Sequence, residues 1–570
     1  MSPHQPNQDR PIATGEGRSP DIFLFLAALL LLFWGLGTRG LWGSEGRWAE
    51  VTREMFLTGD FLHPTIGGEP YFDKPLLSYW LIAAITAVTG ILNEWVARLP
   101  SAVSGFLTIW ATRDIGGRLW SAEIGRLAAW ILLTTYGFLF WSRTAAADME
   151  NVAAIIIAVA WYWSQRDNPG FRSFLIFYLI LALGALTKGL TAVVVPIIVI
   201  FPDILREKRW RMLFKASHWA ALALGLGVYL APFCYASFTR PDYQASGFGM
   251  VVRENIVRYF KPFDHKQPFY IYLYELPLLL LPWSPLFIAA TAGIGRAWKS
   301  LDEKTRWLVE SIALIFLFFT LSGSRRGYYI LPILPFCTLL TAIFTIRPRP
   351  NANQTLDLWA LGIQKTLMFV LVAANLLVPL MLPIMRVWMG FSAPVMLYVA
   401  CLTIGLSGLV FGRLAYKATA VSNYLPGQPL VQAMLVMAML TVGGYFCWQQ
   451  NTLDALRTER PFALELQKEL VGLPPYRMAI YPRTDAKLCY YLDVAQPLHI
   501  LDRPEAVQNF LDEEKPGVLI MQRRHAADLP FQIQAELDGM RQFREKQQPW
   551  ESKSSGGEKW VAYFYEVTGQ

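Results

Sequence analysis

The chain has 570 residues, of which 54% are hydrophobic, 14% aromatic and only 16% charged, and its formal net charge is +8. This is the composition of a polytopic membrane protein and not of a soluble globular chain. The positive charge does not indicate a nucleic-acid partner, because much of the Lys and Arg lies in short loops between apolar runs, where it sets membrane orientation. The five cysteines show neither the C-x-x-C spacing of metal sites nor a disulfide framework.

Fourteen apolar runs follow one another along the chain, and each is a candidate membrane-spanning helix. The first follows a polar, Pro-rich segment, so it is predicted to be a signal-anchor helix after a cytoplasmic tail at residues 1–21. In chain order the runs are Ile22–Trp42, Pro75–Ile91, Trp95–Ala111, Leu127–Trp141, Met149–Trp163, Phe171–Leu186, Leu190–Ile204, Phe214–Phe238, Phe269–Ile294, Trp307–Leu321, Tyr328–Ile346, Thr366–Met385, Ser392–Phe411 and Leu430–Trp448.

Clusters of Lys and Arg mark the loops that are predicted to be cytoplasmic. They fall on one side of the membrane if Pro75–Ile91 lies at the interface without spanning, which leaves about thirteen transmembrane helices in an all-α domain over residues 22–448. The segments 41–75, 141–148, 239–268, 322–327 and everything after Gln449 are then outside. The basic clusters are Arg113, Arg118 and Arg126; Arg206, Lys208, Arg209, Arg211 and Lys215; Arg296, Lys299, Lys304 and Arg306; Arg347 and Arg349; and Arg413 and Lys417.

The segment from Leu41 to Tyr79 is rich in charge although it directly follows an apolar run. Charged side chains do not sit in hydrocarbon, so the first loop at 41–75 is predicted to lie on the membrane surface. Its acids and bases near residues 45–54 have helical spacing, which predicts a short interfacial helix. An ordinary solvated loop is the alternative. Asp73 and Lys74 precede Pro75, a residue favoured at the start of a helix.

The tail at 449–570 has a different character from the rest of the chain. Its apolar runs are short and rich in strand-forming residues, with amphipathic helical stretches at Pro461–Leu470 and Arg503–Leu511 between them. This pattern predicts a small α/β domain on the outer face, without a catalytic motif of its own. The predicted strands are Met478–Tyr481, Pro497–Leu501, Gly517–Met521 and Trp560–Val567.

Acidic and basic side chains are predicted to share the outer face of the membrane domain. Asp148 opens a transmembrane helix, where the helix dipole favours an acid, and an N-terminal cap is the alternative reading. His265 is a single imidazole, which is usually not a metal ligand. Arg325 and Arg326 beside Tyr328 suit a phosphate headgroup or interfacial anchoring. The acids are Glu45, Asp73, Asp148 and Glu150, and the bases are Arg47, Lys74, Arg253, Arg258, Lys266, Arg325 and Arg326.

Several short motifs occur in order over about the first 350 residues. They are Gly43-Ser44-Glu45-Gly46-Arg47-Trp48-Ala49-Glu50, Arg53-Glu54-Met55, Gly59-Asp60-Phe61, Tyr71-Phe72-Asp73-Lys74-Pro75, Asp148 opening a helix, Thr187-Lys188-Gly189, His265 before Pro268-Phe269, Leu281-Pro282-Trp283 and Tyr329-Ile330-Leu331-Pro332. At these motifs the chain resembles the membrane-embedded GT-C glycosyltransferases that use polyprenyl-phosphate sugars. It most resembles the undecaprenyl-phosphate aminoarabinose lipid A transferases, with the protein O-mannosyltransferases (glycosyltransferase 39-like) as more distant relatives.

Two positions depart from the family pattern, in which the first loop reads P-D-E-x-R-Y-A-E and later Y-F-E-K-P. Ser44 stands where the family has an aspartate, so the carboxylate expected there is missing and Glu45 is the nearest substitute. Asp73 stands where the family has a glutamate, and this shorter acid retains the capacity to bind a metal.

The resemblance implies that an acceptor hydroxyl or phosphate oxygen attacks the anomeric carbon of the sugar and releases polyprenyl phosphate. A carboxylate takes the proton or orients the acceptor, and cations stabilise the leaving phosphate. A divalent metal, zinc or manganese, is an expected cofactor, and an apolar cavity would hold the prenyl tail. The expected residues are Asp148 and Glu45 as catalytic carboxylates; Lys74, Arg47, Arg258 and Arg325 at the phosphate, with Arg47 organising the first loop; and Asp73 and His265 at the metal.

The expected function is therefore transfer of an aminoarabinose-like pentose or a hexose from a polyprenyl-phosphate donor to a lipid A-type or other cell-envelope acceptor. Such an enzyme is expected to be a monomer in the bacterial inner membrane, with its active site on the periplasmic face. A protein acceptor, as in the O-mannosyltransferases, is the main alternative. A lipid transporter or flippase is a further one, although the sequence has no half-to-half repeat of interrupted helices.

Overall fold

A computed structural model gives the fold of most of the chain. It describes residues 18–71, 73–240, 247–261, 265–296, 298–346, 354–389, 395–421, 428–446, 457–494, 499–513, 516–546 and 559–565. Most of the predicted cytoplasmic tail, and Asp264 beside His265, lie outside the described residues.

Long apolar segments form a helical domain that accounts for most of the described residues. Its helices are α1 (Arg18–Phe33), α2 (Glu45–Thr58), α3 (Leu77–Thr89), α4 (Glu94–Leu119), α5 (Ala122–Leu133), α6 (Tyr136–Ser142), α7 (Asp148–Gln165), α8 (Phe171–Lys188), α9 (Thr191–Arg206), α10 (Ala216–Thr239), α11 (Gly247–Val252), α12 (Arg258–Phe260), α13 (Ile271–Leu279), α14 (Ser284–Arg296), α15 (Glu303–Leu321), α16 (Leu334–Ile346), α17 (Gln354–Met389), α18 (Val395–Val421) and α19 (Gln428–Gly444). Three short 3₁₀ segments (Arg209–Phe214, Trp298–Ser300 and Gly327–Ile333) and a π-helical turn (Arg253–Val257) complete it.

Three described helical segments are long and apolar enough to cross a membrane, namely Phe171–Lys188, Ala216–Thr239 and Gly327–Ile346. Two further pairs qualify if each bent pair is one span: α5 with α6, bent by 68°, and α13 with the first part of α14, bent by 118°. These figures rest on length and composition alone, so the thirteen predicted spans stay a prediction. The short apolar helix α3 covers the run that was assigned to the interface.

The first loop contains the predicted helix α2, but its charged face is buried. Glu45, Glu50, Arg53 and Glu54 are at most 8% exposed, so the alternative of an ordinary solvated loop is wrong. The helix ends at Gly59, whose φ of 70° lies in the left-handed region that glycine adopts without strain. A two-stranded hairpin follows, with β1 (Thr65–Ile66) antiparallel to β2 (Glu69–Pro70).

Residues 457–565 form the predicted α/β domain. Five strands lie in the order β4-β3-β5-β7-β6, with β3 parallel to β4 and β5, and β7 antiparallel to β5 and β6. The four predicted strands are each present, β4 ending one residue before the predicted Leu501. The sequence analysis missed β6, in which exposed and half-buried residues do not alternate. The strands are β3 (Met478–Tyr481), β4 (His499–Ile500), β5 (Gly517–Gln522), β6 (Arg541–Arg544) and β7 (Trp560–Tyr565), and the helices are α20 (Glu459–Glu469), α21 (Ala486–Leu492), α22 (Pro504–Asp512), α23 (Arg523–Ala527) and α24 (Phe531–Asp538).

Helix α21 of this domain packs against α2 of the first loop. Gly46 lies so close to the Lys487 backbone that an added Cβ would approach its Cα to 2.5 Å. Arg53 donates to the carbonyl oxygen of Val494 at 2.7 Å, and the Tyr491 hydroxyl accepts from the Leu41 amide at 2.6 Å. The α/β domain therefore helps to fix the position of the first loop.

Candidate active site

A cavity of about 400 Å³ lies where the first loop meets the ends of several membrane helices. Three of these ends are the beginning of α7 at Asp148, the end of α8 at Lys188 and the beginning of α9 at Thr191. The cavity combines charged side chains with an apolar wall that includes Val152, Phe319 and other residues. Such a lining suits an amphiphilic ligand with an anionic head and an apolar tail.

Asp148 and Lys188 form an ion pair that lines this cavity. Asp148 is the first residue of α7, and the N-cap position is taken by Ala147 before it. Among the described residues the Asp148 side chain hydrogen-bonds to Lys188, so the N-terminal cap that the sequence left open is not its role. The Lys188 ammonium also lies 4.8 Å from the ring centre of Tyr329, and these contacts fix the orientation of the Asp148 carboxylate.

The turn after Lys188 is fixed by Asn255 in the π-helical segment. Asn255 Oδ1 accepts from the Leu190 amide at 2.7 Å, and its Nδ2 donates to the Val251 carbonyl at 2.9 Å. Gly189 has a φ of 124°, and a Cβ there would lie 2.5 Å from Asn255 Oδ1. The Thr187-Lys188-Gly189 motif thus needs its glycine in order to bring Lys188 beside the segment that carries Arg258.

Lys74 and Arg258 converge on the same cavity through a shared acid, Glu254. Arg258 pairs with Glu254, and Lys74 Nζ lies 3.8 Å from a Glu254 carboxylate oxygen. Arg258 also donates to the Ser324 hydroxyl at 3.3 Å. A π-helical turn at Arg253–Val257 places Glu254 and Arg258 next to each other on this wall, and such turns are frequent at functional sites.

The pKa of Lys74 is lowered to about 8, chiefly by burial and then by the charge of Arg47, with Arg258 acting in the same direction and Glu254 opposing them. An anion that enters between Lys74 and Arg258 would relieve this repulsion. The pair is therefore arranged to bind a phosphate.

Arg47 and Asp73 support this cationic wall from the first loop. Arg47 donates to the Tyr71 hydroxyl at 2.9 Å, which ties α2 to the end of the hairpin. Asp73 lines the cavity, whereas Arg47 lies behind Lys74 and does not. The structure therefore does not bring Arg47 to the cavity with Lys74, as predicted for the phosphate site, and its role in organising the first loop stays a prediction.

Glu45 lies away from the cavity, inside a closed network. Its two carboxylate oxygens accept hydrogen bonds from Arg98 at 2.7 and 2.8 Å and from Arg39 at 3.0 Å. The amides of Trp42 and Ala145 donate to the same carboxylate at 2.8 and 2.9 Å. Burial opposes ionisation, but the charges of Arg98 and Arg39 outweigh it and lower the pKa of Glu45 to about 2. Glu45 is thus a positioning residue, since its oxygens are occupied.

Ser44 precedes α2 and is exposed, and its side chain makes no capping hydrogen bond. It lies outside the lining of the cavity. The position where the family pattern has an aspartate therefore carries no acid, and the structure brings no other carboxylate of the first loop except Asp73 to the cavity wall among the residues described.

Arg325 and His265 hold a loop together beside the cavity. Arg325 donates to the carbonyl oxygens of Thr320 at 3.1 Å and Gln267 at 2.9 Å, so its guanidinium is engaged with backbone rather than facing the cavity. His265 Nδ1 lies 3.1 Å from the Arg326 guanidinium.

The predicted metal pair does not fit a cation site. Asp73 lines the cavity and His265 does not, and His265 is held next to the positive charge of Arg326. In the described part of the chain no group of three or more His, Cys, Asp or Glu side chains is arranged to hold a metal ion. Zinc sites are built from three or four such protein ligands.

The sequence analysis gave no role to two charged residues of this site, Lys188, which it noted only within a motif, and Glu254. Lys188 is a single charge at the end of a long apolar run, and a charge in that position is a signal of function. Glu254 gave no such signal in the sequence. Its partner Lys74 is far from it along the chain, and its other partner, Arg258, is one helical turn away.

Comparisons with known proteins show what the chain is similar to. The profile of the family described as dolichyl-phosphate-mannose-protein mannosyltransferase matches residues 73–235, which include Lys74, Asp148 and Lys188. An undecaprenyl phosphate-alpha-4-amino-4-deoxy-L-arabinose arabinosyl transferase from Pseudomonas aeruginosa (strain UCBPP-PA14) is 30% identical over 333 residues, which cover 55% of this chain and 58% of the relative. The chain thus spans less than two thirds of that relative's length.

Two further matches extend over more of the chain. A transferase of the same description, numbered 2, from Pseudomonas fluorescens (strain Pf0-1) is 27% identical over 466 residues, 79% of each chain. The crystal structure of ArnT from Cupriavidus metallidurans bound to undecaprenyl phosphate superposes with a TM-score of 0.72 and 20% identity, covering 96% of this chain and 98% of that one. The latter similarity establishes the fold.

The fold is that of the ArnT crystal structure, as the resemblance to the GT-C glycosyltransferases implies. In sequence the chain is similar to the undecaprenyl-phosphate aminoarabinose transferases and, over residues 73–235, to the protein mannosyltransferase family. The resemblance drawn from the sequence is confirmed.

Proposed function

We propose that the chain is a glycosyltransferase that moves a sugar from a polyprenyl-phosphate donor to a lipid A-type or other cell-envelope acceptor. The sugar is an aminoarabinose-like pentose or a hexose. The observation that carries the proposal is the convergence of Lys74 and Arg258 on one cavity with the Asp148–Lys188 ion pair. The matched relatives are named for a reaction of this kind.

Lys74 and Arg258 are proposed to bind the phosphate of the donor. Glu254 neutralises both cations when the cavity is empty of ligand, and the donor phosphate takes its place as their counter-ion. As the bond from the anomeric carbon to the phosphate oxygen breaks, negative charge grows on that oxygen. Two fixed cations stabilise this charge more in the transition state than in the ground state.

Asp148 is proposed as the catalytic carboxylate. It accepts the proton of the attacking hydroxyl or orients a phosphate acceptor while that oxygen forms its bond to the anomeric carbon. Lys188 holds the Asp148 carboxylate in place at the cavity. Glu45 acts only through the position of the first loop, and Ser44 takes no part in the proton transfer.

The apolar wall of the cavity is proposed to hold the first isoprene units of the donor. Phe318, Phe319 and Leu331 provide such a surface on α15 and the segment before α16. The binding energy of this non-reacting part positions the phosphate between the two cations. No step of the reaction as proposed here uses a metal.

Sidedness and assembly follow from the basic loops and remain part of the proposal. The cavity and the α/β domain would face the periplasm of a bacterial inner membrane, and the enzyme would act as a monomer. A protein acceptor is the second candidate, because the family profile that matches residues 73–235 describes protein mannosyltransferases.

The test is a transfer assay with the purified full chain. Undecaprenyl-phosphate aminoarabinose and undecaprenyl-phosphate hexose are each supplied with lipid A or with a mixture of envelope proteins, and products are identified by mass spectrometry. We expect a sugar-modified lipid and release of undecaprenyl phosphate. Modified protein without modified lipid would favour the second candidate, and no product with any pair from a folded, donor-binding enzyme would refute the proposal.

A further inference from the structure

A second cavity of about 250 Å³ lies at the far ends of the helices that carry the proposed active site. Asp148 begins α7 and Gln165, which lines the second cavity, ends it. Seventeen steps at 1.5 Å per residue separate the two ends by about 25 Å, which is close to the thickness of a bilayer core. This cavity is therefore on the opposite side of the membrane from the first, the side predicted to be cytoplasmic.

The wall of the second cavity is almost entirely apolar. It includes Phe177 from α8, Ile200 from α9 and Leu213 from the 3₁₀ segment Arg209–Phe214. Ile197 and Trp210 also line it and are 45% and 47% exposed, so the cavity opens to the surroundings of the protein. In a bilayer those surroundings are acyl chains, and an unfilled apolar space would forgo dispersion contacts along its whole wall.

The rim of this cavity is basic. Residues 166–172 and 203–215, which connect the four helices around it, contain seven basic and three acidic residues. Arg166 pairs with Asp203 at 2.6 Å and Arg209 with Asp167 at 2.8 Å, which uses two of the three acids internally. Arg211 and Lys215 are exposed on the 3₁₀ segment and just after it, so they are placed to meet an anion.

Two polar groups also line this cavity. The Tyr178 hydroxyl lies 3.2 Å from a ring nitrogen of His218. An apolar slot whose wall includes a hydroxyl and an imidazole, with cations in the adjoining connections, suits the acyl chain, ester and phosphate of a phospholipid.

We propose that this cavity binds an anionic phospholipid of the adjacent leaflet, with one acyl chain in the slot and the phosphate at Arg211 and Lys215. Basic pockets between membrane helices on the cytoplasmic side are known to bind such headgroups. The lipid would fasten the far ends of α7, α8 and α9 together. These are the helices whose other ends hold Asp148, Lys188 and Thr191, so the lipid supports the active site through the helix packing. The inference does not depend on the proposed function.

Native mass spectrometry of the purified full chain tests it, after exchange into either dioleoyl phosphatidylglycerol or dioleoyl phosphatidylcholine. We expect phosphatidylglycerol to be retained and to raise the unfolding temperature. Phosphatidylcholine should be retained at least about tenfold less, because each basic residue near a membrane surface attracts anionic lipid. The variant Ile197→Trp should fill the slot and release the bound lipid. The double variant Arg211→Glu with Lys215→Glu should keep lipid but lose the preference for phosphatidylglycerol.

Two matched controls separate the site from general effects. Leu224→Trp adds the same bulk to an exposed position of α10 outside the cavity lining, and Arg413→Glu with Lys417→Glu makes the same charge change on α18. Both should retain lipid like the unaltered chain. Equal retention of the two lipids by the unaltered chain would overturn the proposal. An unaltered preference for phosphatidylglycerol in the Arg211 and Lys215 variant would overturn it as well. That variant changes exposed side chains only, so it tests the rim even if Ile197→Trp does not fold.

Discussion

Two clusters in this molecule each pair a carboxylate with cations, and they differ in how many hydrogen bonds the carboxylate accepts. In the first loop, Glu45 is surrounded by Arg98, Arg39 and two backbone amides, and its oxygens are fully occupied. In the cavity, Asp148 has the single cation Lys188 and faces open space. A structural carboxylate already accepts its full set of hydrogen bonds, whereas one that can contact a substrate does not. This difference, more than charge or burial, separates Glu45 from Asp148.

The cations show the same contrast. Arg98 is 1% exposed and makes five hydrogen bonds, three of them to backbone carbonyl oxygens. Lys74 has only its own neighbour's carbonyl at 3.0 Å and Glu254 at 3.8 Å. A ligand phosphate can therefore replace the partners of Lys74, whereas the hydrogen bonds of Arg98 leave no space for a phosphate.

The largest expected effect is at Asp148. Asp148→Asn should abolish transfer, by at least about three orders of magnitude, because no other cavity carboxylate holds the same position toward Lys188. The measurement is the rate of sugar transfer by the purified variant. Asp114→Asn is the matched control, since it makes the same change beside a cation, Arg118, in an exposed ion pair of α4, and it should transfer at a rate near that of the unaltered enzyme.

Lys74→Ala comes next, with an expected loss of about two orders of magnitude or more in kcat/KM, the scale for one charged stabiliser of a leaving group. Expression should stay near normal, because the side chain faces the cavity and not the core. Lys266→Ala removes an exposed lysine of a neighbouring outer loop and should change little. Near-normal transfer by Lys74→Ala would remove Lys74 from the mechanism.

Glu45→Gln should act on stability instead of chemistry. Removing one partner of a buried ion pair leaves Arg98 and Arg39 uncompensated, at a cost of about 3–5 kcal/mol in the free energy of unfolding. The depressed pKa of Glu45, about 2, has the same consequence: its stabilisation is present above the unfolded value near 4.5 and is lost as the pH falls toward 2. Thermal unfolding of the variant measures the loss, and a variant with an unchanged unfolding temperature and no transfer would contradict the structural role.

The pH dependence of donor use sharpens the comparison further. Because the pKa of Lys74 is lowered to about 8, its ammonium is lost as the pH rises through that value, and kcat/KM for the donor should fall about tenfold per pH unit beyond it. Lys74→Arg should have lower activity but no such fall, since arginine stays protonated. A pH profile that is the same in both proteins would mean that another group titrates.

The smallest effect is expected at Ser44. Ser44→Ala should cost less than about tenfold in transfer, because the side chain is exposed and a neutral hydrogen bond is worth roughly 1 kcal/mol. Transfer rates of the two proteins at one donor concentration suffice. Loss of all activity in Ser44→Ala would show that the first loop reaches the reacting atoms.

Much of this account could be predicted from the sequence. The rest could not be predicted, and the reasons are physical. Ordered motifs assigned Lys74 and Asp148 to one site, the predicted outer face added Arg258, and apolar periodicity predicted the helices and most strands. The sequence could not separate Glu45 from Asp148, because saturation of a carboxylate depends on Arg98, 53 residues away. It paired Asp73 with His265, although Arg326 lies against the imidazole, a contact that depends on the fold of the intervening helices.

The most direct test of the account is the affinity for undecaprenyl phosphate measured for Lys74→Ala and Asp148→Asn alongside the unaltered chain. The cationic wall and the carboxylate have separate tasks, so Lys74→Ala should bind at least about tenfold more weakly, the effect of a lost charge-assisted contact. Asp148→Asn should bind as tightly as the unaltered chain or more tightly, since it removes a negative charge from the cavity. Unweakened binding by Lys74→Ala, or loss of binding in Asp148→Asn with the fold intact, would contradict the account.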